Sequence, residues 1–337
     1  MKPILFVVGQ AATAAYLLPL WRRWMREGKY REQDLAWNIV INDVVARYLE
    51  RENVSDMPII LDHADLSLPE MFSTSEYCMV MSASFAPIEQ KYIRRARKGN
   101  IPVARIIDTW YGYHRRLVES SEELSSGDKV LVIDEFAFQE ALAEGIAQEY
   151  LEIAGQPAWE SIVEKPPQNM RDILFISQPV ERFYGQSLGY TEKSAWEEFR
   201  KAVSDYPNLF DKVYFAPHPD DDMQAPVHDD RVIVVTSGLQ ALNHVGTVVG
   251  MFSSLVTDGL LAGRRTISFQ PDATGPDLCA MGRVGIITRA TTTQELIKAL
   301  QHRDNTHLES LKSVLVGSTD RLADFCREFI KTNMKKP

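Results

Sequence analysis

The stretch that most constrains the fold runs from Asp211 to Pro271 and reads as strand, polar loop, strand, helix, strand. Val213 to Ala216 is a short apolar run that ends at Pro217, His218 and Pro219, with Asp220, Asp221 and Asp222 directly after. Such a run, bounded by prolines, predicts a buried parallel strand that delivers a histidine to its carboxyl end, where open α/β sheets place ligands. Val248 and Val249 then lead to Gly250, to Ser253 and Ser254, to Asp258 and Gly263, and to a strand from Thr266 to Phe269. A strand that ends in glycine and opens a helix with paired hydroxyls presents backbone N–H groups to an anion such as a phosphate. Asp258 falls one helical turn beyond Ser254 on the same face, placed to accept from a ribose hydroxyl. The plainer reading of these residues makes Ser253 and Ser254 simple N-caps, Asp258 a solvated charge and His218 a loop histidine held by backbone groups.

The alternation extends over the whole chain. In the first half, strands are predicted at Ile4 to Val8, Trp37 to Ile41, Pro58 to Leu61, Tyr77 to Met81, Val103 to Ile107, Val130 to Ile133 and Tyr150 to Ile153. Gly9 and Gln10 turn the first of them into a helix over Thr13 to Met25 that contains Pro19. Further helices are predicted at Val44 to Leu49, Pro87 to Lys98 and Phe136 to Glu144. The second half restarts with a strand at Ile173 to Ile176, the turn Ser177, Gln178, Pro179, and a helix from Glu192 to Val203 capped by Thr191. After the central stretch come a strand at Gly285 to Ile287, a helix at Thr293 to Leu300 and a terminal helix from about Leu308 to Ile330. A chain of 337 residues exceeds one ordinary core, and the Gly155, Gln156, Pro157 break followed by Pro166 and Pro167 places a boundary between Gly155 and Asn169. The predicted class is α/β, two Rossmann-like doubly wound domains facing across a cleft, over 1–157 and 168–337, with the terminal helix free to pack back on the first.

Several function classes are set aside by composition and spacing. A net charge of -9 disfavours extended nucleic-acid binding. Cys78, Cys279 and Cys326 are widely spaced and fit a reducing compartment rather than a disulfide framework. Ile4 to Val8 is too short for a signal peptide, so a cytoplasmic location is expected. Neither the dinucleotide glycine fingerprint nor a Walker lysine loop occurs. Asp220 to Asp222 are read as solvated acids, and no metal site is predicted. Arg94, Arg95, Arg97 and Lys98 make a basic helix, read as a solvated face with peripheral membrane contact or an acidic acceptor as alternatives.

Two acidic positions in the first half are candidates for chemistry. Asp108 opens a cluster with Trp110, Tyr111, Tyr113, His114, Arg115 and Arg116, a mixture suited to a sugar and an anion, or to a loop buried against another domain. Asp134 and Glu135 sit at a strand end, where adjacent carboxylates suit either a general base or a helix cap.

Taken together, the two Rossmann-like halves, the Gly-Gln-Pro junction, the His218-Pro219 loop and the Gly250, Ser253, Ser254, Asp258, Gly263 pattern resemble the GT-B fold of nucleotide-sugar glycosyltransferases and sugar-nucleotide 2-epimerases. The order Asp134-Glu135, His218-Pro219, Ser253-Ser254 is similar to that of bacterial sialyltransferases and polysialyltransferases, with Phe136 standing where that family has glycine. The resemblance implies a metal-independent inverting glycosyltransferase acting in surface-glycan or glycoprotein-glycan synthesis. Its donor would be a nucleotide sugar, a CMP-nonulosonic acid among the options, and its acceptor a glycan, lipid-linked or protein group, with no further cofactor. On that analogy Asp134 or Glu135 is the acceptor base with Asp108 as rival, and His218 contacts the leaving phosphate. Gly9, Gln10, Ser177, Gln178, Pro219, Gly250, Ser253, Ser254 and Asp258 line the nucleotide site. Two alternatives stand beside it. A sugar-nucleotide 2-epimerase needs a base and an acid flanking the sugar ring, and the usual Asp, Glu and His set is not matched well in the first half. A non-catalytic nucleotide-sugar binding protein would lack a base within reach of the sugar.

Overall fold

The computed structural model describes residues 3–27, 37–54, 57–61, 77–83, 86–117, 124–160, 162, 166–218, 231–275, 277–302, 312 and 315–334. The chain divides into two compact units, Met1–Ser161 with Val314–Pro337, and Ile162–Ser313. No described helix is long and apolar enough to cross a membrane.

Unit 1 runs β1 (Ile4–Val8), α1 (Ala11–Arg26), β2 (Trp37–Ile41), α2 (Asp43–Arg51), β3 (Ile59–Leu61), β4 (Met79–Ser82), α3 (Pro87–Lys98), β5 (Val103–Ile106), α4 (Tyr113–Leu117), β6 (Lys129–Val132), α5 (Glu135–Ala143), β7 (Leu151–Ile153) and α6 (Pro157–Glu160). Its strands form one parallel sheet in the order β3-β2-β1-β4-β5-β6-β7. β1 is apolar throughout because both faces of a central parallel strand are covered. Ile4, Phe6 and Val8 join one core cluster with Trp21 and Trp24 of α1, while Leu5 and Val7 face the other with Tyr92, Ile93 and Ala96 of α3.

Unit 2 runs β8 (Asn169–Ile176), α7 (Val180–Tyr184), α8 (Glu192–Asp205), β9 (Val213–Ala216), β10 (Val232–Val234), α9 (Gly238–Ala241), β11 (Val245–Gly250), α10 (Ser254–Leu261), β12 (Arg265–Phe269), α11 (Ala280–Arg283), β13 (Thr288–Ala290) and α12 (Thr293–Gln301). Its parallel sheet has the order β10-β9-β8-β11-β12-β13. Phe175, Trp196, Phe199 and Phe215 fill the space under α8, with Trp196 and Phe215 rings 4.7 Å apart. The last helix, α13 (Ser318–Met334), belongs to unit 1, where Leu322, Ala323, Cys326 and Ile330 enter the cluster that contains Trp21 and Trp24.

Departures from the expected elements have local causes. The strand expected at Gly285 to Ile287 starts at Thr288, because Gly285 sits at φ +73° and holds the chain in a turn. The expected terminal helix from about Leu308 to Ile330 falls partly outside the described residues, at 308–311 and 313–314; Lys312 and Leu315 are helical, Gly317 at φ +77° interrupts the helix, and a helix runs on from Ser318. Tyr150 closes a 3₁₀ turn, so β7 begins one residue later than expected. β10 and α9 were not expected; β10 has three residues at the edge of the sheet, too short to announce a period.

Candidate functional site

Strand order reverses between β8 and β11 in unit 2, and the carboxyl ends of strands at such a reversal are where open α/β sheets hold ligands. Ser177 and Gln178 follow β8 directly, and Gly250 ends β11. A side chain at position 250 would collide with Val256, its Cβ 2.8 Å from Val256 Cγ2, so only glycine lets α10 pack this close to the strand. Ser253 is the N-cap of α10 and accepts from Leu255 N–H at 3.3 Å. Ser254 is the first helical residue and is exposed; Asp258 is one turn along and half-buried. The first turn of α10 contains no acidic residue, and its leading N–H groups have no acceptor within the helix. His218 is half-buried at the end of β9, the strand beside β8. Pro219 and Asp220 to Asp222 lie outside the described residues.

The corresponding reversal in unit 1 lies between β1 and β4, and it is occupied differently. Glu89, in the first turn of α3, is fully buried and accepts from Gly9 N–H at 2.9 Å and from Ala86 N–H at 3.0 Å. Asn42, the N-cap of α2, donates to the Gly9 carbonyl at 3.0 Å. A Cβ on Gly9 would lie 2.2 Å from that of Ala86. The protein's own carboxylate thus stands where a helix N-terminus would receive an anion, and the Gly9 N–H is given to it. Gln10 becomes the N-cap of α1 without a side-chain cap bond.

The acidic candidates of unit 1 are tied into local structure. Asp134 is the N-cap of α5: Oδ1 accepts from Ala137 N–H at 2.8 Å and Oδ2 from Trp110 Nε1 at 2.9 Å. Burial pushes its carboxyl above the usual aspartate range, against the opposing pull of those bonds. Trp110 stacks on Trp159 with ring centroids 5.0 Å apart. Glu135 accepts from Gln139 on the exposed face of α5 at 2.7 Å. Asp108 pairs with Arg116 at 3.2 Å. The structure therefore brings Asp134 and Trp110 together, and places Asp108 in a separate ion pair. Among the described residues no group of three or more His, Cys, Asp or Glu side chains is arranged to hold a metal ion.

No family model matches the chain, and no curated protein matches it in sequence. Solved structures do match. The UDP-GlcNAc 2-epimerase of Methanocaldococcus jannaschii aligns with 98% of this chain and 99% of its own, at a TM-score of 0.66 and 11% identity. The S. aureus MnaA-UDP co-structure aligns with 100% and 99%, at 0.65 and 13%. The glycosyltransferase of kitacinnamycin aligns with 98% and 99%, at 0.54 and 13%. The fold is GT-B-like.

These likenesses correct the expectation of an inverting glycosyltransferase. UDP-GlcNAc 2-epimerases recur among the similar structures at TM-scores of 0.62 to 0.66, above the glycosyltransferase at 0.54. The sialyltransferase-like order of motifs finds no support among them. That analogy drew its base from two adjacent acids at a strand end, and a helix cap produces the same pattern, as Asp134 shows.

Other residues of the site escaped sequence reasoning. Glu89 bonds a residue 80 positions away, and only the spacing of Ala86 and Glu89 at N-cap and N3 hinted at it. Ser268 and Gln270, both buried, and the half-buried Asp277 form a polar chain behind the β11–α10 turn. Ser268 lies in the strand Arg-Thr-Ile-Ser-Phe, where a serine alternating with Thr266 carries no signal of a distant partner.

Proposed function

We propose that the protein is a nucleotide-sugar enzyme of the sugar-nucleotide 2-epimerase kind, and that unit 2 holds the nucleotide. The observation that carries this reading is the likeness to UDP-GlcNAc 2-epimerases over essentially the full length of both chains. The contrast between the two strand-order reversals supports it: α3, which follows β4 at the reversal in unit 1, carries Glu89 in its first turn, whereas the first turn of α10, which follows β11 in unit 2, carries no acidic residue. In this assignment the N–H groups and hydroxyls of Ser253 and Ser254 receive the phosphate. Asp258 accepts from the ribose, and Ser177 and His218 approach from the neighbouring strands. Inversion at C2 further requires a base and an acid on opposite faces of the sugar ring.

The test combines binding with product analysis. UDP is expected to raise the melting temperature more than CMP, GDP or ADP does, because a ligand that binds only the native state stabilises it by mass action. NMR of a UDP-GlcNAc incubation is expected to show the C2 epimer accumulating. Binding of UDP with no change at C2 would leave a nucleotide-sugar protein and remove the epimerase assignment.

A second expected result concerns the hydroxyls. Ser253→Ala with Ser254→Ala weakens UDP binding by about 1 to 3 kcal/mol, the range of hydrogen bonds to a charged group. Unchanged affinity by calorimetry, with the fold intact, would move the phosphate away from α10.

A further inference from the structure

One peptide group in unit 2 is held from both sides. Its N–H, that of Phe252, donates to Gln178 Oε1 at 2.9 Å, and its carbonyl, that of Met251, accepts from Ser268 Oγ. Gln178 stands just past β8 and Ser268 lies in β12, so each strand flanking β11 sends one side chain to the first peptide beyond it. Ser268 is paired with Gly250 in the sheet register, which places its hydroxyl beside the turn. Behind it, Gln270 Nε2 donates to Ser268 Oγ at 2.9 Å and to Asp277 Oδ1 at 2.6 Å, and Cys279 N–H donates to the same Asp277 oxygen at 2.9 Å.

The direction of this chain is determined by its chemistry. Asp277 Oδ1 needs a donor, so the Gln270 amide presents its NH₂ there, and the Gln270 carbonyl oxygen is left buried without a partner. The Ser268 oxygen then accepts a hydrogen bond from the Gln270 NH₂ and donates its hydroxyl to the Met251 carbonyl. Ser268 and Gln270 are fully buried, so water does not compete for these positions.

We infer that Gln178 and Ser268 are positioning residues for the phosphate: by fixing the plane of the Met251–Phe252 peptide they aim the N–H groups that follow it, at Ser253 and Ser254. This rests on the assignment of the nucleotide to unit 2. It also changes the role of Gln178, whose carbonyl oxygen is committed to Phe252 rather than offered to the ligand.

A phosphate-specific readout separates positioning from general damage. The affinities of the full-length protein for UDP and for uridine are measured by calorimetry for the native protein, Ser268→Ala, Ser268→Thr and Gln178→Leu. Ser268→Ala and Gln178→Leu are each expected to bind UDP about tenfold more weakly, equivalent to about 1.4 kcal/mol, while uridine affinity changes less than twofold. Ser268→Thr keeps the hydroxyl and is expected to retain most of the UDP affinity. Amide hydrogen exchange of the segment containing Phe252 should quicken in both weakened variants. Equal losses for UDP and uridine, or unchanged UDP affinity in both variants, would overturn the inference while leaving the nucleotide assignment standing. A native protein that binds no nucleotide would overturn that assignment, and the inference with it. Should Ser268→Ala not fold, Gln178→Leu, altered at a half-buried position, carries the same comparison.

Discussion

Glu89→Ala is expected to lose about 3 to 6 kcal/mol of folding stability, since each hydrogen bond to a charged acceptor contributes about 1.5 to 3 kcal/mol and two are removed at once. The donors left behind, Gly9 N–H and Ala86 N–H, lie in a crevice closed by Ala86 and Ile88, where an unpaired N–H is costly. Glu89→Gln keeps one acceptor oxygen and sets an NH₂ against the other N–H, so its loss should be intermediate, about 2 kcal/mol. Urea unfolding of the three proteins checks the order. A loss under about 1 kcal/mol in Glu89→Ala would mean that the β1–α1 turn holds its shape without the carboxylate.

Trp110→Ala should cost a similar amount, about 3 to 5 kcal/mol, the usual range for emptying a buried aromatic site. The ring is 5% exposed, stacks on Trp159, and supplies the N–H that Asp134 accepts. Trp110→Phe isolates the last of these, and its signature is pH dependence. Burial holds the Asp134 carboxyl above the ordinary aspartate range in the folded protein. Between the ordinary and the raised value the native state binds more protons than the unfolded state, so this group's contribution to stability falls as pH rises through that window. Removing the indole N–H takes away a bond that favours the charged form and moves the folded value further up. The variant's deficit relative to the native protein is therefore expected to be larger at pH 7 than at pH 4. A deficit that does not change with pH would show that the indole N–H does not bear on the Asp134 charge.

What the chain disclosed in advance follows the range of the interactions involved. The Gly250, Ser253, Ser254, Asp258 pattern is legible because a strand end, a cap and one helical turn are local, and all fall within nine residues. The alternation of apolar runs and helical periods is local in the same sense, and it marks the strands of both sheets except β10, with β13 placed three residues early. Glu89, Gln178 and Ser268 act on backbone groups brought to them by sheet order; apart from the cap spacing of Ala86 and Glu89, nothing adjacent to them in the chain marks that role. Asp134 and Glu135 illustrate the opposite hazard: the motif is local and visible, yet capping and catalysis ask for the same residues at the same place.

The return of α13 to unit 1 has a consequence for biosynthesis. The chain leaves unit 1 at Ser161 and re-enters it at Val314, so on a ribosome the whole of unit 2 is made before unit 1 can be completed. Until then the Trp21 and Trp24 cluster lacks Leu322, Ala323, Cys326 and Ile330. Glu160 likewise waits for its donors, Gly317 N–H at 2.6 Å and Thr319 N–H at 2.8 Å, and the Ser318 hydroxyl that accepts from Gln156 N–H is also absent. Unit 2, contiguous in sequence, can close its sheet during elongation. The nascent protein should accordingly acquire a folded unit 2 while unit 1 still exposes an aromatic surface to chaperones, and emergence of α13 from the exit tunnel becomes the step that commits unit 1 to its native state.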